Sequence, residues 1–182
     1  MKINDGDLYG FFIGLLFSKS IFTIFVITTN KTNIMLPYTS SSDSIKGYKD
    51  SKLAQTETND CVVRAIASAS GWDYDKSHSF VGEVFNRKFR KGTYFFNSHM
   101  NSLSENNKRL NRKKIQIISK FKMMNGKSQM TVGKFVEIYT KGTYIICISG
   151  HAFTIKDGVV IGNWSDAKRK RARIQGCWKI GS

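Results

Sequence analysis

The chain has no CxxC pair, and none of Cys61, Cys147 and Cys177 stands at a metal-ligand spacing from another cysteine or from the three histidines. This argues against a disulfide scaffold or a zinc site, fits a reducing compartment, and leaves no cofactor to be expected. Acidic residues are scarce as well, 13 against 29 Lys and Arg, for a formal net charge of +16. The excess is clustered: Arg87, Lys88, Arg90 and Lys91; then Lys108, Arg109, Arg112, Lys113 and Lys114; then Lys168–Arg171 with Arg173. Such clusters favour nucleic acid or acidic partners, or else serve as solvated faces, and no aromatic ladder interleaves them to decide for nucleic acid. No internal repeat is visible.

A secretory signal is not expected either. Asp5 and Asp7 make the start of the chain acidic, and no small-x-small cleavage site follows the apolar run at 10–28. That run reads in two ways. It is a membrane span, in which Lys19 costs about 2.5–3.5 kcal/mol against the apolar residues on either side. Alternatively, Met35 is the natural start and 1–34 is an over-extended reading frame. Residues 35–52, rich in Ser, Thr and Asp, read as a flexible leader, and 53–182 as the folded domain. The expected location is the cytoplasm, or the membrane surface if 10–28 spans.

What the chain does have is enough apolar material to fold: 41% hydrophobic residues, 13 of them Phe, in a length suited to one domain. Asn59 or Asp60 caps a predicted helix that runs from Cys61 to Ser70, where Gly71 stops it. Tyr74, His78, Val81, Val84 and Phe85 recur at helical spacing and predict a second helix over 75–89, with His78 as a packed or surface residue. A short helix around Asn97–Leu110, a strand at Lys114–Lys120 and a turn at Asn125–Gly126 fill the middle. Thr131 caps a helix through Tyr139.

The period then changes. Thr143–Ser149 is a β-branched apolar run, Ala152–Lys156 and Val159–Ile161 form a hairpin about Asp157–Gly158, and Ile174–Ile180 supplies a further strand. Cys147 and Cys177 fall in strands and read as small core residues. Helices followed by antiparallel strands predict an α+β domain.

Cys61 stands at the start of a helix, where unpaired backbone donors and the helix dipole favour a thiolate. His151 stands between two strands and can take the thiol proton. Asn163 closes the hairpin, where its amide can orient the His151 ring, with Trp164 as a shield and Asp166 as the alternative orienter. Arg64, one turn beyond Cys61, is either a site residue or half of an ion pair.

In that chain order the residues resemble the papain-like cysteine peptidase superfamily over about residues 53–182. Gln55 stands six residues before Cys61, as that family's oxyanion-stabilising Gln does before its nucleophile. Asp60–Cys61–Val62–Val63–Arg64–Ala65–Ile66–Ala67 with the later Gly150–His151–Ala152 is similar to small papain-like proteins of bacteriophages and bacteria, which for a phage protein implies the host cytoplasm. The resemblance implies a thiol-dependent hydrolase, most simply a peptidase or isopeptidase, with a Cys61–His151–Asn163 triad, Gln55 at the oxyanion and a protein or peptide substrate. It also implies a papain-like fold whose N-terminal helices, with the nucleophile at a helix start, pack on a C-terminal antiparallel sheet. Two other functions stay open: a non-catalytic basic protein of the same fold that binds nucleic acid or an acidic host protein, and a Cys–His acyltransferase or deamidase.

Overall fold

The computed structural model describes residues 35–93, 115–117, 123–124, 127–128 and 130–181, with the strands between 115 and 128 described by backbone alone. The run at 10–28, the helix expected at Asn97–Leu110, the turn at Asn125–Gly126 and the second basic cluster lie outside the described residues. Among the described residues, no helix is long and apolar enough to cross a membrane.

The chain is mixed α+β. Strand β1 (Tyr38–Ser40) and helices α1 (Ser41–Ser44), α2 (Lys52–Thr56), α3 (Cys61–Ser70) and α4 (Tyr74–Phe85) come first. Strands β2 (Ile115–Ile117), β3 (Met123–Met124) and β4 (Lys127–Ser128) and helix α5 (Val132–Ile138) follow. Strands β5 (Thr143–Ile148), β6 (His151–Lys156) and β7 (Val159–Gly162), helix α6 (Trp164–Ala167) and strand β8 (Gly176–Ile180) complete it. The main sheet has six strands in the order β1-β7-β6-β5-β8-β2, and β3 and β4 pair separately. It is not the purely antiparallel sheet expected, because β1 pairs parallel with β7, Tyr38 opposite Val160.

Both faces of the sheet are covered, which explains why β5 reads as a continuous apolar run rather than an alternating one. Ile145 and Cys147 join the cluster of Val62, Val63, Ile66, Tyr74 and Phe80 from α3 and α4. Tyr144, Ile146 and Ile148 join Val132 and Phe135 of α5 on the other side. The side chain of Thr154, fully buried in β6, donates to the Ala65 carbonyl at 2.7 Å and so bonds α3 to the strand beneath it.

Local signals govern the helix ends. Gly71 closes α3 at φ 74°, a conformation open to glycine without steric cost. Helix α4 stops at Asn86, which is also left-handed, so it ends short of the predicted Phe89. Thr131 caps α5 by accepting from the Lys134 N–H.

The stretch read as a flexible leader belongs to the fold. Leu36 and Ile45 are buried, one in each core cluster, and the Leu36 N–H donates to the Ala167 carbonyl at 3.0 Å. Two isolated apolar residues make no periodicity, and β1 is held through its backbone, so composition hides it. Leu36→Ala is expected to lower the unfolding free energy by about 2–5 kcal/mol in urea titration, where a residue of a flexible leader would leave it unchanged.

Candidate functional site

Cys61 is the first residue of α3, at the helix end whose backbone N–H groups lack intrahelical acceptors. The approach to it is clamped. The side chain of Glu57, fully buried, pairs with Arg87 and with His78 at 3.2 Å, and accepts from the Arg90 backbone N–H at 3.1 and 3.2 Å. Burial raises the Glu57 pKa, but the bonds from Arg87, the Arg90 N–H and His78 outweigh it and hold the carboxyl below its ordinary value. Arg87 also donates to the Thr58 carbonyl, and the Asn59 amide donates to the Arg90 carbonyl, so both residues before Asp60 are fixed to the end of α4. Arg87 is thus buried in an ion pair rather than displayed in the basic surface cluster read from the sequence.

Asp60 precedes α3 but its side chain does not cap the helix. It accepts from the Tyr74 hydroxyl at 2.8 Å and from Arg64 Nε at 3.1 Å, an i,i+4 ion pair. Its carboxylate opposes ionisation of Cys61, although it is itself partnered by Arg64 and Tyr74.

The His151 side chain hydrogen-bonds Cys61. His151 is the first residue of β6, just past Gly150, and its Nε2 lies 2.8 Å from Asp166 Oδ1. The Asp166 contact is an ion pair rather than an aligned hydrogen bond, since neither atom has an in-line partner. The carboxylate, pressed against the ring, together with Cys61 outweighs burial and pushes the His151 pKa up to about 9. For Cys61, burial raises the pKa, but the His151 hydrogen bond, the Ala152 backbone N–H and the imidazolium charge together bring it below the ordinary thiol value. Cys147 and Cys177 are pushed the other way by burial alone or chiefly by burial. Proton transfer from thiol to imidazole is therefore favoured at this one cysteine among the three.

The expected orienter is elsewhere. Asn163 is exposed at the start of α6, and its Oδ1 accepts from Arg64 Nη1 at 2.7 Å instead of holding His151. The residue at the ring is Asp166, three positions on, buried, with Oδ2 accepting from the Asn163 backbone N–H at 2.7 Å. The physical reason is the short helix after β7: an acid at its third position reaches back to the N-cap amide and is thereby aimed at the strand end. Trp164, expected as a shield, is 55% exposed, with Lys168 Nζ 3.2 Å from its ring centre. Gln55 is exposed on α2, and its amide donates to the Tyr48 and Lys49 carbonyls at 3.3 and 3.4 Å. The structure thus brings Cys61, His151 and Asp166 together, and leaves the Asn163 and Gln55 side chains bonded to other groups.

Two contributors leave no sign in the sequence, the Ala152 N–H and Gly162. The Ala152 N–H carries no side-chain signal. Arg64, expected as a site residue or half of an ion pair, forms the pair with Asp60 and also ties α3 to two other segments, donating to Ser41 Oγ at 3.0 Å as well as to Asn163. Gly162 makes room for the carboxylate: a Cβ there would fall 2.5 Å from Asp166 Oδ2. The Asn163-x-x-Asp166 pattern is a legible capping signal for the acid's position, though not for its contact with His151.

Compared with protein-family models, with curated proteins and with solved structures, the chain finds no match. Among the described residues, no group of three or more His, Cys, Asp and Glu side chains is placed to hold a metal ion.

Because the folded-state pKa of His151 lies above the ordinary value of about 6.5, its protonation favours the folded chain. That contribution is complete below about pH 6.5 and is lost as pH rises through about 9. Gly162→Ala, which displaces the Asp166 carboxylate, and Asp166→Asn, which removes its charge, are each expected to bring the His151 titration down from about 9 toward 6.5. Imidazole proton shifts in NMR measure this directly, and an unmoved titration would mean that Asp166 does not act on the ring.

Proposed function

We propose that the protein is a thiol-dependent hydrolase, most simply a peptidase or isopeptidase, in which Cys61 is the nucleophile, His151 the proton carrier and Asp166 the group that holds the ring. The observation that carries this reading is the meeting of a helix-start thiol, an imidazole backed by a buried carboxylate, and the Ala152 N–H directed at the sulfur. The order of helix-borne thiol, strand-borne imidazole and later polar partner supports a papain-like arrangement, with the acid Asp166 taking the part first given to Asn163.

In the reaction, the Cys61 thiolate attacks an acyl carbon, forming an S–C bond and an oxyanion. The unpaired N–H of Cys61 at the helix start is a donor for that oxyanion. As the C–N bond breaks, the His151 proton passes to the departing amine. Water then attacks the thioester and gives a proton to His151, and the S–C bond breaks to release a carboxylic acid and restore the thiolate–imidazolium pair. Asp166 keeps the imidazolium favourable throughout and takes no proton.

An ordinary thiol with a pKa of about 8.5 is only about one per cent thiolate at pH 6.5. Iodoacetamide at that pH is expected to label Cys61 at least about tenfold faster than Cys147 or Cys177, as mass spectrometry reads it, and His151→Ala to remove the difference. Equal labelling of the three cysteines would sink the proposal. Hydrolysis, once a substrate is in hand, should rise below the ordinary thiol pKa and fall near pH 9, where His151 loses its proton, and His151→Ala should cost about 10²–10⁴-fold in rate.

A further inference from the structure

Immediately beyond Asp166 the chain turns through five exposed cations, Lys168, Arg169, Lys170, Arg171 and Arg173. This loop is held firmly for a surface segment. Its backbone bonds run from Lys168 N–H to Ser165, from Arg169 N–H to Asp166 and from Ala172 N–H to Arg169. The Lys170 and Ala172 carbonyls accept from the first N–H groups of α5, the Lys170 stem lies where a Cβ on Gly133 would stand, and Arg173 bridges to Thr131.

The loop is also joined to the thiol site through one atom. Asp166 Oδ1, 2.8 Å from the His151 ring nitrogen, lies 3.3 Å from Arg169 Nε. The Arg169 guanidinium therefore flanks the same oxygen as the imidazole, on a side chain that is 41% exposed. Both carboxylates beside the nucleophile, Asp60 and Asp166, are buried and already partnered. The charge that this side of the site offers to an arriving molecule is consequently positive.

We infer that the 168–173 loop is the recognition rim of the thiol site and selects acyl substrates that carry carboxylates close to the reacting carbonyl, in the form of acidic peptide segments. The inference rests on the thiol-hydrolase reading and specifies its substrate class. Acidic peptide is favoured over nucleic acid for two reasons. A thiolate that makes acyl intermediates needs a carbonyl carbon, which a phosphodiester does not offer. The exposed aromatic ring of the rim, Trp164, has the Lys168 ammonium against it, so one face is closed to a stacking base. Arginine in an ordered loop suits carboxylates, which it can bind through two parallel hydrogen bonds.

The test uses the full chain and two peptidyl acyloxymethyl ketones that differ only in Asp and Glu against Asn and Gln. Mass spectrometry follows the rate of adduct formation on Cys61. The acidic probe is expected to react about fivefold faster per charge pair engaged, and the preference to shrink as salt approaches 1 M, where screening extends only about 3 Å. In the triple variant Lys168→Gln, Lys170→Gln, Arg171→Gln the acidic-to-neutral ratio should fall toward one; being a ratio within one protein, it is insensitive to a general loss of reactivity. A ratio near one in the unaltered chain, with Cys61 still labelled by iodoacetamide ahead of Cys147, overturns the rim while leaving the hydrolase reading intact. Failure of the iodoacetamide preference instead removes the reading beneath both. An acidic preference that is undiminished in the triple variant overturns the assignment to this loop. Salt-dependent binding of single-stranded DNA that the triple variant loses, with no acidic preference between the probes, overturns it in favour of nucleic acid.

Discussion

The Asp166 carboxylate is buried to 1% exposure, and a negative charge taken so far from water persists only with partners on every side. It has three: the Asn163 backbone N–H, the Arg169 guanidinium and the His151 ring. The ring is a good partner only as imidazolium, and the proton that makes it so is best taken from the neighbouring thiol. The ionisation of Cys61 is thus the far end of a chain of compensation that begins with a buried acid. Gly162 is part of that chain through what it lacks, since a side chain there would occupy the space of the carboxylate.

Placement of the three groups falls to the sheet and the helix above it. Helix α3 lies on β6, bonded through Thr154 to Ala65, so that its N-terminal end comes to the start of the strand where His151 stands. Hairpin β6–β7 returns the chain to the same end and delivers α6 with Asp166. Arg64 then ties the three segments by their surfaces, reaching Asp60 just before its own helix, Ser41 beside the edge strand and Asn163 at the hairpin exit. On the other flank the buried Glu57–Arg87 pair fixes the residues that enter α3. Removing one member of such a pair leaves the other charged and buried, so these contacts hold geometry more than they add net stability.

Much of the secondary structure was legible because it rests on local chemistry. Gly71, Thr131, Asp157–Gly158 and the β-branched run at 143–148 each act within a few residues, and the elements they mark stand close to where the spacing puts them. The edge strand was not legible. Tyr38–Ser40 is held by parallel backbone pairing with β7, and backbone bonding leaves no residue pattern in a polar stretch. Helix α4 was read too long because Phe89 continues the apolar character although Asn86 turns the chain out of the helix. At the site, Cys61 and His151 were found from residue type and element. The hairpin spacing points to Asn163 before Asp166, because a hairpin brings its two ends side by side. A carboxylate one helical turn later arrives there instead, once α6 forms and its acid folds back on the N-cap.

By itself the sequence determined the thiol and the imidazole that meet and the elements that carry them, since helix starts, turns and strands are encoded within a few neighbouring residues. Only the tertiary structure decided which acid backs His151, that the Ala152 N–H faces the sulfur, that Asp60 turns toward Tyr74 and Arg64, and that Arg87 leaves the surface to pair with Glu57. Each of these is a charge or a donor seeking a partner far away in the chain. The outcome depends on burial and on distances of a few ångströms, which no pattern of neighbours specifies.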